Sequence, residues 1–388
     1  MDEVLIDITR LLARALEGRL ATGVDRVSMA YVAHYRERSR ALVRFRGRWI
    51  VLDPDDSRRL FDALLEQSAN ISWVIRWLVG RAYVLGWGGI RASSILLNVG
   101  HSGLDDAVYG REARRRNLRP VFFLHDLIPI VHPEYSRAGE ADRHRQRLAT
   151  MLSAGRGLIV NSSDTRAALE DFASWQGVAI PPCVVAPLAP AALPDHASER
   201  PIEERYFVML GTIEPRKNHL LLLHVWRQLV EELGDAAPRL VVIGQRGWEC
   251  EQVVDMLDRC DALRGYVVEK PRCDDAELAT WLHHACALLF PSFAEGFGIP
   301  LIEALMQGLP VIASDLQVFH EIAGGIPEFL DPIDGLGWKR MILDYMQDES
   351  VRRRAQVERM KGYSAPTWER HFSIVDNFLE TLKDAKLS

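Results

Sequence analysis

Nowhere in these 388 residues do about 20 apolar residues follow one another, the length that a membrane-spanning helix needs. The opening MDEVLIDITR also lacks the basic-then-apolar order of a signal peptide, so a cytoplasmic protein is expected. Cysteine is scarce: Cys183, Cys250, Cys260, Cys273 and Cys286 are odd in number, and no C-x-x-C pair occurs. That argues against a disulfide framework or a zinc site and leaves reduced thiols. The adjacent His283 and His284 do not make good the missing metal ligands, because side chains at i and i+1 on a helix do not converge. The G-x-G-x-x-G fingerprint of a dinucleotide-binding oxidoreductase is absent too. GWGGIR (86–91) fails at its last position and does not follow the first strand. No aromatic-basic recognition motif accompanies the arginines, and the formal net charge is −6, so nucleic acid is not an expected partner.

What is present is unevenly distributed. Residues 1–200 hold 27 Arg, no Lys and 23 acidic residues, a net +4, while the remainder carries −10. Two halves of opposite sign suggest two domains, and a length near 400 fits two cores. The basic half is densest at REARRRNLRP (111–120); it reads equally as an anion-facing patch or as a solvated surface.

Short aliphatic runs alternate with longer helical patterns. They are VLIDI (4–8), SILLNV (94–99), PVFFLHD (120–126), GLIVNS (157–162) and CVVAPL (183–188), then YFVMLGT (206–212), RLVVIG (239–244), YVVEK (266–270), ALLFPS (287–292) and LPVIAS (309–314). Runs this apolar are typical of strands buried on both faces, with room for crossover helices between them. Two parallel-sheet α/β domains follow. The Pro- and Ala-rich 186–204 reads as a linker, which places a first domain at 1–200 and a second at 201–367. Residues 368–388 form a closing amphipathic helix.

In such sheets ligands bind beyond the carboxyl ends of the strands, and four junctions there carry chemistry. FAEGFGIPLIEAL (293–305) puts Glu295 in a loop and Glu303 in the first turn of a helix, with glycines at 296 and 298 that let backbone approach a ligand. After YFVMLGT, the sequence IEPRKNH places Arg216 and Lys217 beside Gly211, a pair that can clamp a diphosphate. VVIGQRGW, with Gly244, and YVVEKPRCDDAEL, in which Asp274 or Asp275 caps a helix, complete the edge. In the first half, Gly23 of ATGVDRV precedes a helical run. His125 and Asp126 of FFLHDLIPIVHPEY follow a strand directly, and the histidine there could donate to a sugar or phosphate oxygen, act as an acid, or be a satisfied structural group.

GTIEPRKN, followed by PSFAEGFGIPLIEALMQGLPVIASD, resembles the signature of the retaining GT-B glycosyltransferases of glycosyltransferase family four. LIDITR, TGVDRV, LNVGHSGL and HDLIPIVHPEY are similar to the acceptor half of bacterial members that build surface polysaccharides. The resemblance implies an α/β GT-B fold, two Rossmann-like domains with parallel sheets facing across a cleft, in which 1–200 binds acceptor and 201–367 binds a nucleotide-sugar. The helix 368–388 would pack back on the first domain. It implies that Glu295 meets the donor sugar's hydroxyls beside the Gly296-Phe297-Gly298-Ile299 backbone and that Glu303 binds the ribose. Arg216 and Lys217 would neutralise the diphosphate with Gly211, Gly244 and Gly23 around it; His125 would touch the donor sugar, and Pro271 and Arg272 would receive the base. On the same resemblance His125, Glu295, Arg216 and Lys217 are the catalytic set, and neither cofactor nor metal is needed.

The donor implied first is GDP-mannose, with rhamnose or glucose nucleotide-sugars as alternatives, and the acceptor is a saccharide or lipid-linked saccharide. A catalytically silent nucleotide-sugar-binding subunit stays open. A metal-dependent GT-A enzyme would need an Asp-x-Asp clamp; Asp53-Pro54-Asp55 matches by letter but reads as a helix cap. Peripheral contact with the cytoplasmic face of the inner membrane is a further expectation, because 71–87 combines three tryptophans with two arginines; a buried core helix is the rival reading.

Overall fold

A computed structural model describes residues 3–18, 22–66, 68, 70–85 and 89–384. Gly86, Trp87 and Gly88, the start of GWGGIR and the third tryptophan of the 71–87 segment, lie outside them, as does the end of the chain from 385. The chain divides into two units. One comprises Met1–Ile130, Gly139–Leu188 and Trp368–Ser388, and the other Val131–Ala138 and Ala189–Thr367.

The first unit is built on a sheet of β1 (Val4–Asp7), β2 (Ser39–Phe45), β3 (Arg48–Val51), β4 (Ile95–Asn98), β5 (Arg119–Leu124), β6 (Gly157–Val160) and β7 (Cys183–Val185). Their order is β3-β2-β1-β4-β5-β6-β7. All neighbours pair in parallel except β2 and β3, a hairpin closed by Arg46 and Gly47 at positive φ. That is the backbone a two-residue hairpin turn requires. The expected all-parallel sheet therefore carries one antiparallel edge. Neither strand of the hairpin appears among the apolar runs of the sequence: Arg40 and Arg44 interrupt β2, and β3 is only four residues long and begins with Arg48. The Arg44 side chain lies along the sheet and donates to the fully buried carboxylate of Asp7 at 2.9 Å, and Arg40 pairs with Glu3 at 2.8 Å.

The closing helix Trp368–Asp384 belongs to this unit because its apolar stripe buries Phe372, Val375 and Leu379 there. Two polar contacts fix its register. The Tyr35 hydroxyl donates to Asp376 at 2.7 Å, and His371 lies between the Pro187 carbonyl and the Tyr31 hydroxyl, 3.0 Å from each. Since the carbonyl can only accept, Nδ1 of His371 carries the proton and Nε2 accepts from tyrosine.

The second unit repeats the plan with β8 (Tyr206–Leu210), β9 (Arg239–Ile243), β10 (Val267–Lys270), β11 (Leu288–Phe290), β12 (Val311–Ser314) and β13 (Glu328–Leu330). The order β10-β9-β8-β11-β12-β13, parallel throughout, is that of a Rossmann sheet. Its core gathers Phe207, Leu240, Leu289 and Ile312 from the strands with Trp226 and Trp338 from helices packed over them. β13 escaped notice in the sequence because its three residues are only half buried and include a glutamate.

Candidate functional site

A doubly wound sheet opens a crevice where its strand order reverses, at the carboxyl ends of two neighbouring strands whose crossovers leave in opposite directions. In the second unit those strands are β8 and β11. The loop after β8 carries Arg216 and Lys217, and the loop after β11 carries Glu295. The two loops are joined by the Phe293 N–H donating to the Arg216 carbonyl at 2.8 Å. Side chains complete the junction. Lys217 Nζ lies 2.5 Å from Glu295 Oε1, Arg216 Nη1 lies 2.7 Å from Oε2, and the Ser292 hydroxyl donates to Oε1 at 2.8 Å. Glu214, buried like Lys217, holds Arg216 Nε at 2.6 Å.

Burial alone would raise the Glu295 pKa, but Arg216 and Lys217 outweigh it and hold the carboxyl at about 2. Burial lowers the Lys217 ammonium from its ordinary value while Glu295 opposes it. The two effects pull the pair in opposite senses. The short contact and the third donor in Ser292 favour the ionised form, so at neutral pH the cluster holds two cations and two carboxylates.

Glu303 is buried in the helix Ile299–Met306, which starts from Gly298 with Pro300 in its first turn. Glu303 therefore sits one turn further in than the sequence expectation placed it. Phe297 is buried, so only its backbone can face a ligand, while Glu295 and Ile299 are half-buried. The fold itself demands two of the glycines. Gly298 has φ 110° and a Cβ there would come 2.8 Å from Phe319, and a Cβ on Gly244 would run into the Gly211 carbonyl oxygen. Pro271 and Arg272, beyond β10, line a cavity of about 640 Å³ with Gln245, Arg246 and Glu269, where Arg246 grips Glu269 through both of its oxygens.

Sequence reasoning missed several residues at this edge. Glu214 and Ser292 flank the motifs that were read, but a lone acid or hydroxyl carries no spacing signal. His219 is buried beside Lys217 at the start of the helix His219–Leu233, and burial lowers its pKa to about 3. The segment Val131–Ala138 also reaches this unit: Tyr135 stacks on Phe293 with ring centres 5.2 Å apart, and Arg137 lies over Trp248. Only folding brings it there, since in the chain it interrupts the first unit.

In the first unit the reversal falls between β1 and β4. A cavity of about 480 Å³ opens there, lined among others by Arg10, Arg14, His101, His125, Asp126 and His144. Three histidines each direct Nε2 at a main-chain oxygen: His101 at Phe123, His125 at Val99 and His144 at Asp126. Those nitrogens must donate, and burial lowers His125 to about 4 and His101 well below its usual value. His125 at neutral pH is therefore uncharged, with its N–H committed and Nδ1 bare. Its Nδ1 can accept a hydrogen bond.

Gly23 opens the helix Gly23–Tyr35, whose end is closed by Asp25 accepting from Thr22 N and Oγ1 while pairing with Arg10 and Arg14. A Cβ on Gly23 would meet nothing within 4 Å, so packing within the unit does not call for glycine. Much of the arginine excess is structural: besides these, Arg116 pairs with Glu112 and Arg147 with Glu140. Asp53 accepts from Asp56 N at 2.8 Å and caps the helix Pro54–Leu65, and Asp274 caps Asp275–His284 in the same way. The Asp-x-Asp letters are therefore a cap.

Residues 204–347 match the family model described as Glycosyl transferases group 1. O-antigen chain mannosyltransferase B of Escherichia coli is 27% identical over 258 residues, 65% of this chain and 67% of that protein. The serotype-specific mannosyltransferase WbdA of Escherichia coli is 31% identical over 218 residues, 52% of this chain but only 26% of the relative. Among solved structures, HepE of Anabaena in complex with UDP and glucose superposes with a TM-score of 0.65 at 15% identity, over 99% of this chain and 100% of its own. Sucrose-phosphate synthase of Thermosynechococcus elongatus gives 0.62 at 16% identity with full coverage of both chains. Residues 204–347 thus match the domain of the group 1 glycosyltransferases, in a chain that has the GT-B fold and is similar to the O-antigen mannosyltransferases.

Proposed function

We propose that the protein is a retaining, metal-independent glycosyltransferase that moves mannose from GDP-mannose to a hydroxyl of a saccharide or lipid-linked saccharide in polysaccharide biosynthesis. The observation that carries this reading is the buried cluster of Arg216, Lys217 and Glu295 at the β8/β11 crevice. The relatives named as mannosyltransferases support the choice of sugar.

In the reaction the bond from sugar C1 to the diphosphate oxygen breaks, its electron pair leaving with the phosphate. The acceptor oxygen bonds to C1 on the same face, and its proton passes to the departing phosphate. The charge that develops on the leaving group is met by fixed cations, Arg216 and Lys217, in a site of low polarity where they act strongly. Glu295, held ionised, offers only acceptor oxygens and so binds donor-sugar hydroxyls. Glu303 takes the ribose. The cavity at Pro271 and Arg272 receives the base, and the Glu269 carboxylate, fixed by Arg246, suits the adjacent N–H donors of guanine. Gly23 allows close backbone approach to the diphosphate, and His125 accepts from a sugar hydroxyl through Nδ1.

The test is turnover with a panel of radiolabelled GDP-, UDP- and dTDP-sugars, with and without EDTA. Binding and turnover of GDP-mannose, unchanged by EDTA, are expected. Preference for another nucleotide-sugar sinks the donor assignment. Tight binding without any hydrolysis or transfer across the panel favours a silent subunit.

A peripheral membrane contact belongs to the same reading. On the helix Ile71–Leu85 the exposed residues Trp73, Arg76, Trp77, Gly80 and Val84 fall on one stripe, and the rings of Trp73 and Trp77 stack. Tryptophan with arginine on one exposed face suits a lipid headgroup layer. No helix among the described residues is long and apolar enough to cross a membrane. Flotation with anionic liposomes at low salt is expected to carry the protein upward, and to fail for Trp73→Ser/Trp77→Ser; loss of flotation in the unaltered protein removes the claim.

A further inference from the structure

Side chains at i and i+1 on a helix are not expected to converge, yet at the end of their helix the rings of His283 and His284 lie with centres 4.8 Å apart, and a third imidazole joins them. His196, from the segment between β7 and β8, lies against the end of the helix Asp275–His284. One nitrogen from each of the three rings lies within 4.8 Å of the others. We propose that His196, His283 and His284 form a surface site for a divalent transition-metal ion of the zinc, cobalt or nickel type, separate from the crevice at β8 and β11.

Three features of the cluster support it. First, the chain is already brought into place by other bonds: Ala197 N–H donates to Thr280 Oγ1 at 3.0 Å, so His196 is carried to the helix without help from its own ring. Second, one carbonyl fixes two of the tautomers. His196 Nδ1 and His284 Nε2 each lie 3.1 Å from the Ala197 carbonyl oxygen. An oxygen that can only accept requires both nitrogens to carry hydrogen, which leaves His196 Nε2 and His284 Nδ1 with bare lone pairs. Metal-ligating histidines are commonly held in this way, with the far N–H on a backbone carbonyl. Third, the site lies in the last turn of its helix, where unsatisfied carbonyls favour a cation.

Ligation needs a small closure. Zinc–nitrogen bonds of about 2.0–2.1 Å bring tetrahedral ligand atoms to roughly 3.4 Å from one another, closer than the present spread. His196 and His283 stack with ring centres 3.4 Å apart, and parallel rings do not point their lone pairs at one ion. One ring must tilt off the stack, which is open to both because both are exposed. Three imidazoles then leave a fourth position for water.

The place in the fold fixes the role. The helix begins beyond the carboxyl end of β10 and ends ahead of β11, so its last turn lies at the sheet edge opposite the crevice. A metal there would clip the segment around His196 to the helix and would take no part in transfer.

The experiment uses the full chain without a histidine tag. Cobalt(II) is titrated while visible absorption is followed, and zinc(II) is titrated by calorimetry and by thermal unfolding. Expected are one ion per chain, the intense d–d bands of a four-coordinate cobalt site, and a raised unfolding temperature with zinc. His196→Ala should weaken binding by at least about 100-fold, since even partners outside the ligand shell of a metal site carry about 10–100-fold. It should not change turnover measured in EDTA. No saturable uptake at micromolar metal, or uptake that survives His196→Ala, overturns the proposal. Because the readouts are binding and absorption, they stand whether or not the protein transfers mannose.

Discussion

Lys217→Met separates the structural and chemical parts played by the crevice cluster. The substitution keeps the length and bulk of the side chain but leaves Arg216 facing both Glu214 and Glu295, so the buried cluster passes from neutral to one excess negative charge. Removing one partner of a buried ion pair costs about 3–5 kcal/mol. Glu295 keeps Arg216 and the Ser292 hydroxyl, so the lower end applies. At roughly 2–4 °C per kcal/mol for a domain of this size, about 3 kcal/mol lowers the melting temperature by about 6–12 °C. Turnover should fall by about 100- to 1,000-fold, the usual loss when one fixed donor to a developing charge is removed. The double variant Lys217→Met/Glu295→Gln restores neutrality. It should regain most of the melting temperature by differential scanning calorimetry while turnover stays low or falls further. If the double variant recovers activity together with stability, Lys217 matters only for folding. If the single variant keeps more than a tenth of the activity, the leaving-group argument is wrong.

Gly23→Ala should leave stability within about 0.5 kcal/mol, as expected where nothing is crowded, yet raise the KM for the donor or lower kcat; unchanged kinetics would remove Gly23 from the site. Asp53→Ala should cost about 1 kcal/mol through the lost cap and leave activity in EDTA untouched, and a metal-dependent loss would revive the Asp-x-Asp reading. Acid should destabilise the chain before any site carboxylate titrates. His125 and His371 are held at about 4 and His219 at about 3, all below the ordinary histidine value of 6.5. The unfolded chain therefore takes up protons first. The stability of the neutral forms is full above pH 6.5 and is lost as pH falls toward 4 and then 3, each histidine contributing a loss of about 1.4 kcal/mol for every pH unit in that window. Glu295, held at about 2, adds its own loss only below the ordinary glutamate range, toward pH 2. Urea unfolding at pH 7 and pH 5 gives the comparison, and equal midpoints would contradict the buried neutral histidines.

The strands that line the crevice were legible because burial on both faces makes them continuous aliphatic runs, and strand ends mark ligand edges in such sheets. RKN after β8 and E-G-F-G after β11 were found in that way. The β2–β3 hairpin was not, because Arg40 and Arg44 sit inside the sheet against Glu3 and Asp7 and break the apolar pattern. The direction of each histidine was also hidden. Whether His125 donates or accepts depends on the Val99 carbonyl, which lies just beyond β4.

The sequence by itself determined the two alternating α/β sheets, the junctions where chemistry sits and the caps at Asp53 and at Asp274 or Asp275, since periodicity, turn residues and capping are properties of neighbours along the chain. Only the tertiary structure decided which loops meet. It joined Arg216 and Lys217 to Glu295 across the β8/β11 reversal. It also brought Val131–Ala138 to the second unit and the closing helix to the first, and it set His196 beside His283 and His284. Strand order and long-range packing fix these contacts, and neither leaves a trace in local spacing.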